Sequence, residues 1–358
     1  MMPLYALIMA GGTGTRLWPR SRRDRPKQLL TIASERTMLQ ETYERIRSLI
    51  SDERIFVVTN DGYVDIVGQQ LPTLSKENII GELSGHGTAP CIGLAALYLR
   101  RLDPASVMAV LPADHFVRAG DTFRCALQAA AQLAEAGCLV TLGIRPAHPE
   151  TGYGYIERGD LLQHVEGCDA YRVKRFIEKP DREAAEAFLA NGGYYWNSGM
   201  FIWQVSAILR EIERLMPRLY ARLMEIAGAL GTPQERTVLE RVWATVEDQT
   251  IDFGIMERAE DVAVIPVDIG WSDVGCWATL FELLPSDENS NVVIGEHFGI
   301  ETSDTLIYSP RRLIATVGIE GLVIVDTDDA LLVCPRDRAQ EVKALVDALK
   351  RDNKQKYL

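Results

Sequence analysis

Short apolar runs alternate with helical patterns through the first half of the chain. Leu4–Ala10 (LYALIMA) carries no charge and reads as a strand. Arg54–Thr59 (RIFVVT), Ser106–Leu111 (SVMAVL) and Cys138–Ile144 repeat the pattern, and Asn78–Gly81 is a shorter version of it. The segments between them have helical signals. Thr37-Met38-Leu39-Gln40 matches a capping box and opens a helix to about Ile50. Pro90 suits the first position of a helix running to about Arg101. Asp121–Ala136 is rich in alanine and stops at Gly137.

Strands this apolar are buried on both faces, so the alternation predicts an α/β fold: a Rossmann-like, mostly parallel sheet flanked by helices. Right-handed crossovers leave the strand C-termini on one edge, where such sheets bind ligands. The residues following the strands (11–28, 84–90, 112–116, 145–155, 178–180 and 268–275) are therefore the expected carriers of chemistry. Residues 205–248 read as helical. From about 290 the pattern becomes short strands: Asn291–Ile294, Thr305–Ser309, Leu313–Val317, Leu322–Asp326 and Ala330–Cys334, then a helix from Arg338 to Lys350. The reading divides the chain into a domain over 1–285 and a small β-rich, β-helix-like domain over 290–358, with LPSDENSN as the linker.

Composition narrows the partners. The 358 residues carry a formal charge of −12, so general nucleic-acid binding is not expected and any anionic ligand needs a local basic site. The six cysteines form no C-x-x-C pair and suggest neither zinc nor a disulfide framework, which fits a reducing cytoplasm. No signal peptide is visible. The long uncharged stretch 187–209 is broken by Asn191, Gly192, Gly193, Asn197 and Ser198, so no membrane association is expected.

A glycine-rich turn follows the first strand: Gly11, Gly12 and Gly14, then Thr15 and Arg16. Such a turn is either a plain βα connection or a cradle whose amides approach a phosphate. A dinucleotide fingerprint fails because Leu17 holds the third glycine position, and no Walker A pattern is present. Arg16, Arg20, Arg22, Arg23, Arg25 and Lys27 follow, with one acid, Asp24, among them. This block reads as a solvated surface turn, as a polyphosphate clamp in which Arg16 and Lys27 neutralise developing charge, or as a nucleic-acid patch; the absence of interleaved aromatics disfavours the last.

The stretch Gly11 to Gln28 resembles the signature of the sugar-nucleotide pyrophosphorylases, a nucleotidyltransferase family, and its Leu-Trp-Pro and Pro-Lys-Gln details resemble the mannose-1-phosphate guanylyltransferase branch. Further matches follow in order: Gly87-Thr88-Ala89-Pro90, Leu111-Pro112-Ala113-Asp114-His115, Thr151-Gly152-Tyr153-Gly154-Tyr155-Ile156, Phe176-Ile177-Glu178-Lys179-Pro180, Asn197-Ser198-Gly199-Met200-Phe201 and Gly270-Trp271-Ser272-Asp273-Val274-Gly275. The resemblance implies the nucleotidyltransferase fold and transfer of GMP from GTP to α-D-mannose 1-phosphate, with Mg2+ as cofactor and pyrophosphate released. The chain ends at Leu358 and has five His, so the isomerase activity that some members carry is not expected.

By the same resemblance, Arg16 and Lys27 are the catalytic cations. Gly11, Gly12, Gly14, Thr15, Gly87, Thr88, Pro112, Ala113 and Asp114 bind the nucleotide. Gly152, Tyr153, Glu178, Lys179 and Asn197 bind the sugar phosphate. Asp273 and Asp114 are the metal candidates, each just past an apolar run; Asp114 has the alternative of supporting the nucleotide. Tyr194, Tyr195, Trp196, Phe201 and Trp203 read as core rather than as a sugar platform. Nothing in the spacing selects guanine. The alternatives are another sugar-1-phosphate nucleotidyltransferase with a different base or sugar, or a catalytically silent regulatory subunit, which the presence of Arg16, Lys27, Glu178 and Asp273 argues against. Exposed β edges in the C-terminal part make a homodimer the expectation.

Overall fold

The computed structural model describes residues 2–12, 14–32 and 34–358; Thr13, inside the glycine-rich turn, lies outside the described residues. The chain forms two compact units. The first comprises Met1–Gly11, Thr42–Ala113 and Val117–Trp271, and the second Gly12–Glu41, Asp114–Phe116 and Ser272–Leu358. The second unit therefore draws on the signature segment as well as the C-terminal strands.

The first unit is built on one nine-stranded sheet. Its strands are β1 (Leu4–Ala10), β2 (Ile55–Asn60), β3 (Ile79–Glu82), β4 (Val107–Pro112), β5 (Leu139–Ile144), β6 (Gly154–Val165), β7 (Cys168–Glu178), β8 (Tyr194–Gln204) and β9 (Val262–Val267). The order is β3-β2-β1-β4-β8-β5-β9-β7-β6, with a further β8–β6 pairing. β1 to β4 are parallel neighbours, as are β5 and β9. β7 and β8 run against them. The sheet is thus mixed and mostly parallel.

The predicted parallel strands appear within a residue or two of their expected bounds. The capping box forms as its sequence requires: Gln40 N–H donates to Thr37 Oγ1 at 3.2 Å and Thr37 N–H to Gln40 Oε1 at 2.9 Å, ahead of helix Met38–Ile46. The helix expected to begin at Pro90 begins at Thr88, because Gly87 (φ 85°) turns the chain first and Pro is tolerated throughout a first turn. Its buried face, with Ile92, Leu94, Ala95 and Leu99, packs with Val205, Ile208 and Ile212 of the following helix layer into the main core. Phe201 and Trp203 are buried and stacked at 5.3 Å, and Trp196 is buried, so that part of the aromatic cluster is core. The uncharged stretch 187–209 is divided between helix Arg182–Asn191, β8 and helix Val205–Leu215, and among the described residues no helix is long and apolar enough to cross a membrane.

The second unit holds a four-stranded sheet, β10 (Val292–Ser303), β11 (Leu306–Glu320), β12 (Leu322–Asp326) and β13 (Leu331–Pro335), in that order. Two expected strands, 305–309 and 313–317, are one: β11 continues past Pro310 and its pairing with β10 slips between Gly295 and His297. Gly295 allows this, since a Cβ there would lie 1.9 Å from the Ser309 carbonyl oxygen. Leu17 and Trp18 of the signature segment pack in this unit's core with Val274, Trp277, Leu280, Val323 and Val325. Trp277 Nε1 donates to the Trp18 carbonyl at 2.9 Å, and Trp18 Nε1 to the Tyr357 carbonyl at 2.7 Å. That burial is why an apolar residue, not a glycine, stands at position 17.

Candidate active site

In the second unit the signature turn closes over Lys27. Gly14 has φ 62°, and a Cβ there would sit 2.3 Å from Lys27 Cβ, so no other residue fits without moving the lysine. Ser21 Oγ donates to the Gly14 carbonyl at 2.7 Å and pins the turn. Lys27 is buried, and its Nζ donates to Asp114 Oδ2 at 2.8 Å and to the Asp273 carbonyl at 2.5 Å. One ammonium thus ties the loop to both metal candidates. Burial opposes ionisation of Asp114, but the charge of Lys27, then that of His115, prevails and holds the carboxyl below its ordinary range. Asp273 Oδ1 accepts from Gly275 N–H at 3.0 Å, across Val274, a buried β-branched residue at φ 47°. A strained valine held between two motif residues is the kind of backbone cost found at functional sites. Arg16, on the turn Thr15–Leu17, is exposed and pairs with no acid among the described residues.

The rest of the basic block divides. Arg20 lies over the Tyr308 ring at 4.7 Å, and Arg22 pairs with Asp329 at 2.7 Å. They line a cleft of about 750 Å³ with Arg311 and Arg312, which pair with Asp328 and Asp326. Arg20 and Arg22 hold the C-terminal strands and Arg23 and Arg25 line the same cleft, which leaves Arg16 and Lys27 as the cations of the turn itself.

In the first unit, Glu178, Asn197 and Gly154 converge although none lies at the end of a parallel strand. Three register pairs do this: Gly154 with Glu178, Tyr155 with Trp196, and Gly143 with Asn197. A Cβ on Gly154 would lie 2.3 Å from Glu178 Oε2 and 3.2 Å from Asn197 Cβ, so the glycine makes room for the carboxylate. Lys179, at φ 50°, donates to Glu178 Oε1 at 2.8 Å. Glu178 Oε2 is buried without a partner. Tyr153 stands edge-on to Trp196 and Trp271 at 5.2 and 5.4 Å, and the exposed Gly152 donates its N–H to Glu150 at 2.8 Å.

The expected base-side residues are also in this unit, and several are already engaged. Gly87 is obligatory, because a Cβ would meet the Gln249 carbonyl oxygen at 2.4 Å. Thr88 Oγ1 accepts from Ile251 N–H at 2.8 Å. Ala113 bonds Met9 through its N–H at 2.9 Å and Thr42 through its carbonyl at 3.3 Å, just past Pro112 at the end of β4. Gly11, the last residue of this unit's first segment, is exposed, as is Gly12, which belongs to the second unit.

Two acids escaped the sequence reading. Glu82 closes β3, and its Oε2 lies 3.8 Å from where a Gly11 Cβ would stand. Oε1 is buried without a partner. Burial pushes the carboxyl up to about 7, partly offset by a hydrogen bond from Cys91. Its only sequence signal was an acid ending the apolar run Ile79-Ile80-Gly81. Asp252 opens a π-turn, Asp252–Met256, and accepts from Asn197 Nδ2 at 2.8 Å. Burial, then the charge of Glu178, pushes it up to about 6. Nothing local in Thr250-Ile251-Asp252-Phe253 marks it.

Residues 5–290 match the family model described as nucleotidyl transferase, and residues 295–349 match the mannoseP isomerase/GMP-like beta-helix domain. Mannose-1-phosphate guanylyltransferases of Klebsiella pneumoniae and Escherichia coli K12 are 42% and 40% identical over 99% of this chain and 75% of their own lengths. A crystal structure described as mannose-1-phosphate geranyltransferase from Thermus thermophilus superposes with a TM-score of 0.88 at 35% identity, covering 98% of this chain and all of that one. One described as mannose-6-phosphate isomerase from Helicobacter pylori reaches 0.62 at 25% identity over 76% of this chain and all of its own. The chain belongs to the nucleotidyl transferase family, in its mannose-1-phosphate guanylyltransferase branch, and is a nucleotidyltransferase.

Proposed function

We propose that the protein transfers GMP from GTP to α-D-mannose 1-phosphate, giving GDP-mannose and pyrophosphate. The observation that carries the reading is Lys27, buried beneath Gly14 and bonded to Asp114. Such an ammonium is fixed before the reaction, so its charge needs no reorganisation as the phosphates move. The sugar phosphate attacks the α-phosphorus in line and needs no general base, because it is already ionised. Lys27 balances charge building on the transferred phosphate, and the exposed Arg16 pairs with the departing pyrophosphate. Each such donor is worth roughly 3 kcal/mol in the transition state.

Glu82 supports guanine. Guanine offers two neighbouring donors, N1–H and the N2 amino group, and a carboxylate accepts both; uracil and thymine offer one. Glu82, with Oε1 unpartnered and Oε2 near Gly11, suits that pair. Glu178 and Asn197 suit hexose hydroxyls, the carboxylate accepting and the amide doing both.

Among the described residues no three or more His, Cys, Asp or Glu gather as a metal cage. Mg2+ fits all the same, because it commonly takes one or two carboxylates and completes its shell with phosphate and water oxygens. Asp114, kept ionised by Lys27, and Asp273 are the residues that would hold it. When bound, it would supply further neutralisation of phosphate charge.

Self-association is part of the proposal. Phe298 and Ile300 on β10, and Val317 on β11 opposite Ile300, are exposed apolar side chains on paired strands. Sedimentation at micromolar concentration is expected to give a dimer; monomer alone would contradict it.

The reading is tested by a nucleotide-by-sugar matrix of pyrophosphate release. GTP with mannose 1-phosphate and magnesium should be the best combination. Faster release with another base or hexose would select the alternative transferase, and no release from any pair would remove the reading.

A further inference from the structure

The second unit holds a cleft of about 750 Å³ that the reaction proposed above does not use. Its walls come from residues 19–25 of the signature segment, from β11, and from the end of β12 with the turn after it. Arg16, Lys27, Asp114 and Asp273 do not line it. Among the described residues the lining carries seven arginine or lysine side chains and four aspartates, a surplus of three positive charges in a chain of net −12. Three of the aspartates are each spent on one arginine: Asp329 on Arg22 at 2.7 Å, Asp328 on Arg311 at 2.6 Å and Asp326 on Arg312 at 2.7 Å.

Arg20 and Arg25 pair with no acid among the described residues. Arg20 is half-buried and already held in place. Its Nη2 donates to the Thr31 carbonyl at 3.1 Å, and its guanidinium lies over the Tyr308 ring at 4.7 Å. A closed turn brings the chain back at Arg25: Arg22 N–H donates to the Arg25 carbonyl at 3.0 Å, and Arg25 N–H to the Arg22 carbonyl at 3.1 Å. Burial weakens Arg20's hold on its proton, the Tyr308 phenol opposes that, and the charge of Arg25 adds to it. Like charges kept together at partial burial cost free energy in the free protein, and an anion between them would recover it. Arginine forks match phosphate oxygens two at a time. The volume suits a small molecule rather than a single ion. The surplus charge suits a diphosphate with a free end, which carries about one charge on its inner phosphate and up to about two on its terminal one.

We propose that this cleft is a second anion site, separate from the catalytic one, which takes a small diphosphate, inorganic or nucleoside-linked, between Arg20 and Arg25.

Isothermal calorimetry on the full-length chain tests this at low salt, where such contacts are least screened. Inorganic pyrophosphate and GDP are titrated separately into wild type, Arg25→Ala and Arg210→Ala. Arg210 is exposed and does not line the cleft, so its variant controls for the loss of one charge. Arg25→Ala should weaken the cleft's binding of at least one of the two ligands about 10- to 100-fold, the weight of a hydrogen bond to a charged group. The ligand that wild type binds more tightly there identifies the source of the diphosphate. Arg210→Ala should leave both isotherms as in wild type. Arg25 is exposed, so its variant should melt with wild type. Its kcat and its KM for GTP should hold within about twofold, as for a site apart from the chemistry. The proposal is overturned by Arg25→Ala isotherms that overlay wild type for both ligands, by an equal change in Arg210→Ala, or by a matching loss of kcat or GTP affinity in Arg25→Ala. Tighter binding of a glutamate-rich peptide than of either diphosphate would also overturn it, by giving the cleft to an acidic protein segment. A wild type that releases no pyrophosphate from any substrate pair removes the transferase reading and leaves the calorimetric result for the cleft standing.

Discussion

The Lys27 cluster of the second unit and the Glu178 cluster of the first handle charge in opposite ways. Around Lys27, ammonium and carboxylate match, and Asp114 is held below its ordinary range despite burial. Around Glu178, carboxylates crowd one another, an oxygen has no donor, and Asp252 is pushed up to about 6. Glu82, pushed up to about 7, behaves like the second group. On the function proposed above, the cluster assigned to phosphate is charge-balanced beforehand, whereas those assigned to hydroxyls and amino groups stay short of donors until a ligand supplies them.

Replacing Lys27 should break the first region most severely. Lys27→Ala is expected to lower kcat roughly 100- to 1000-fold, as for loss of one preorganised donor, and steady-state pyrophosphate release would read it. Gly14→Ala tests the same cluster through the backbone. With φ 62° and Lys27 Cβ 2.3 Å away, the new methyl group has no room. Urea unfolding should show a loss of about 3 kcal/mol, combining left-handed strain with overpacking.

The second kind of region is exposed by pH. Glu82 has a folded value of about 7, above its unfolded 4.5, so its charging disfavours the fold as pH rises from 4.5 through 7. Asp114 has the opposite sign: it adds stability above its ordinary value of 3.8, and loses it as pH falls through its depressed folded one. Glu82→Gln should therefore gain stability over wild type by about 3 kcal/mol between pH 5 and pH 8. Denaturant unfolding at the two pH values checks this, and a constant difference would refute the assignment of strain to Glu82. The same variant should favour GTP less over other nucleotides. The smallest effect is expected outside both regions. Arg22→Ala removes one partly exposed pair with Asp329 and should cost about 1 kcal/mol or less, visible as a small drop in melting temperature.

The two regions were not equally legible in the sequence. β1, β2 and β4 announce themselves as unbroken apolar runs, and Gly14, Lys27 and Asp114 lie on or just after such runs, where a motif can be read. The hairpin β6–β7 has no unbroken apolar run like those of β1 and β4, and the register pairing Gly154 with Glu178 is a tertiary fact. Asp252 is separated from Asn197 by 55 residues and meets it only through packing. Glu82 became visible through its burial beside Gly11, which no local pattern encodes. Arg20 and Arg22 share one charge run with Arg16 and Lys27, yet the fold gives them to the support of the C-terminal strands, a division that no local pattern shows.

The most direct test measures kcat and both KM values for Lys27→Ala and Glu178→Gln side by side. If the phosphate cluster acts on charge in the transition state and the acidic cluster on hexose binding, Lys27→Ala will lose kcat with the mannose 1-phosphate KM nearly unchanged. Glu178→Gln will raise that KM with kcat largely kept. If both variants move the same parameter by the same factor, the division of labour between the two clusters is wrong.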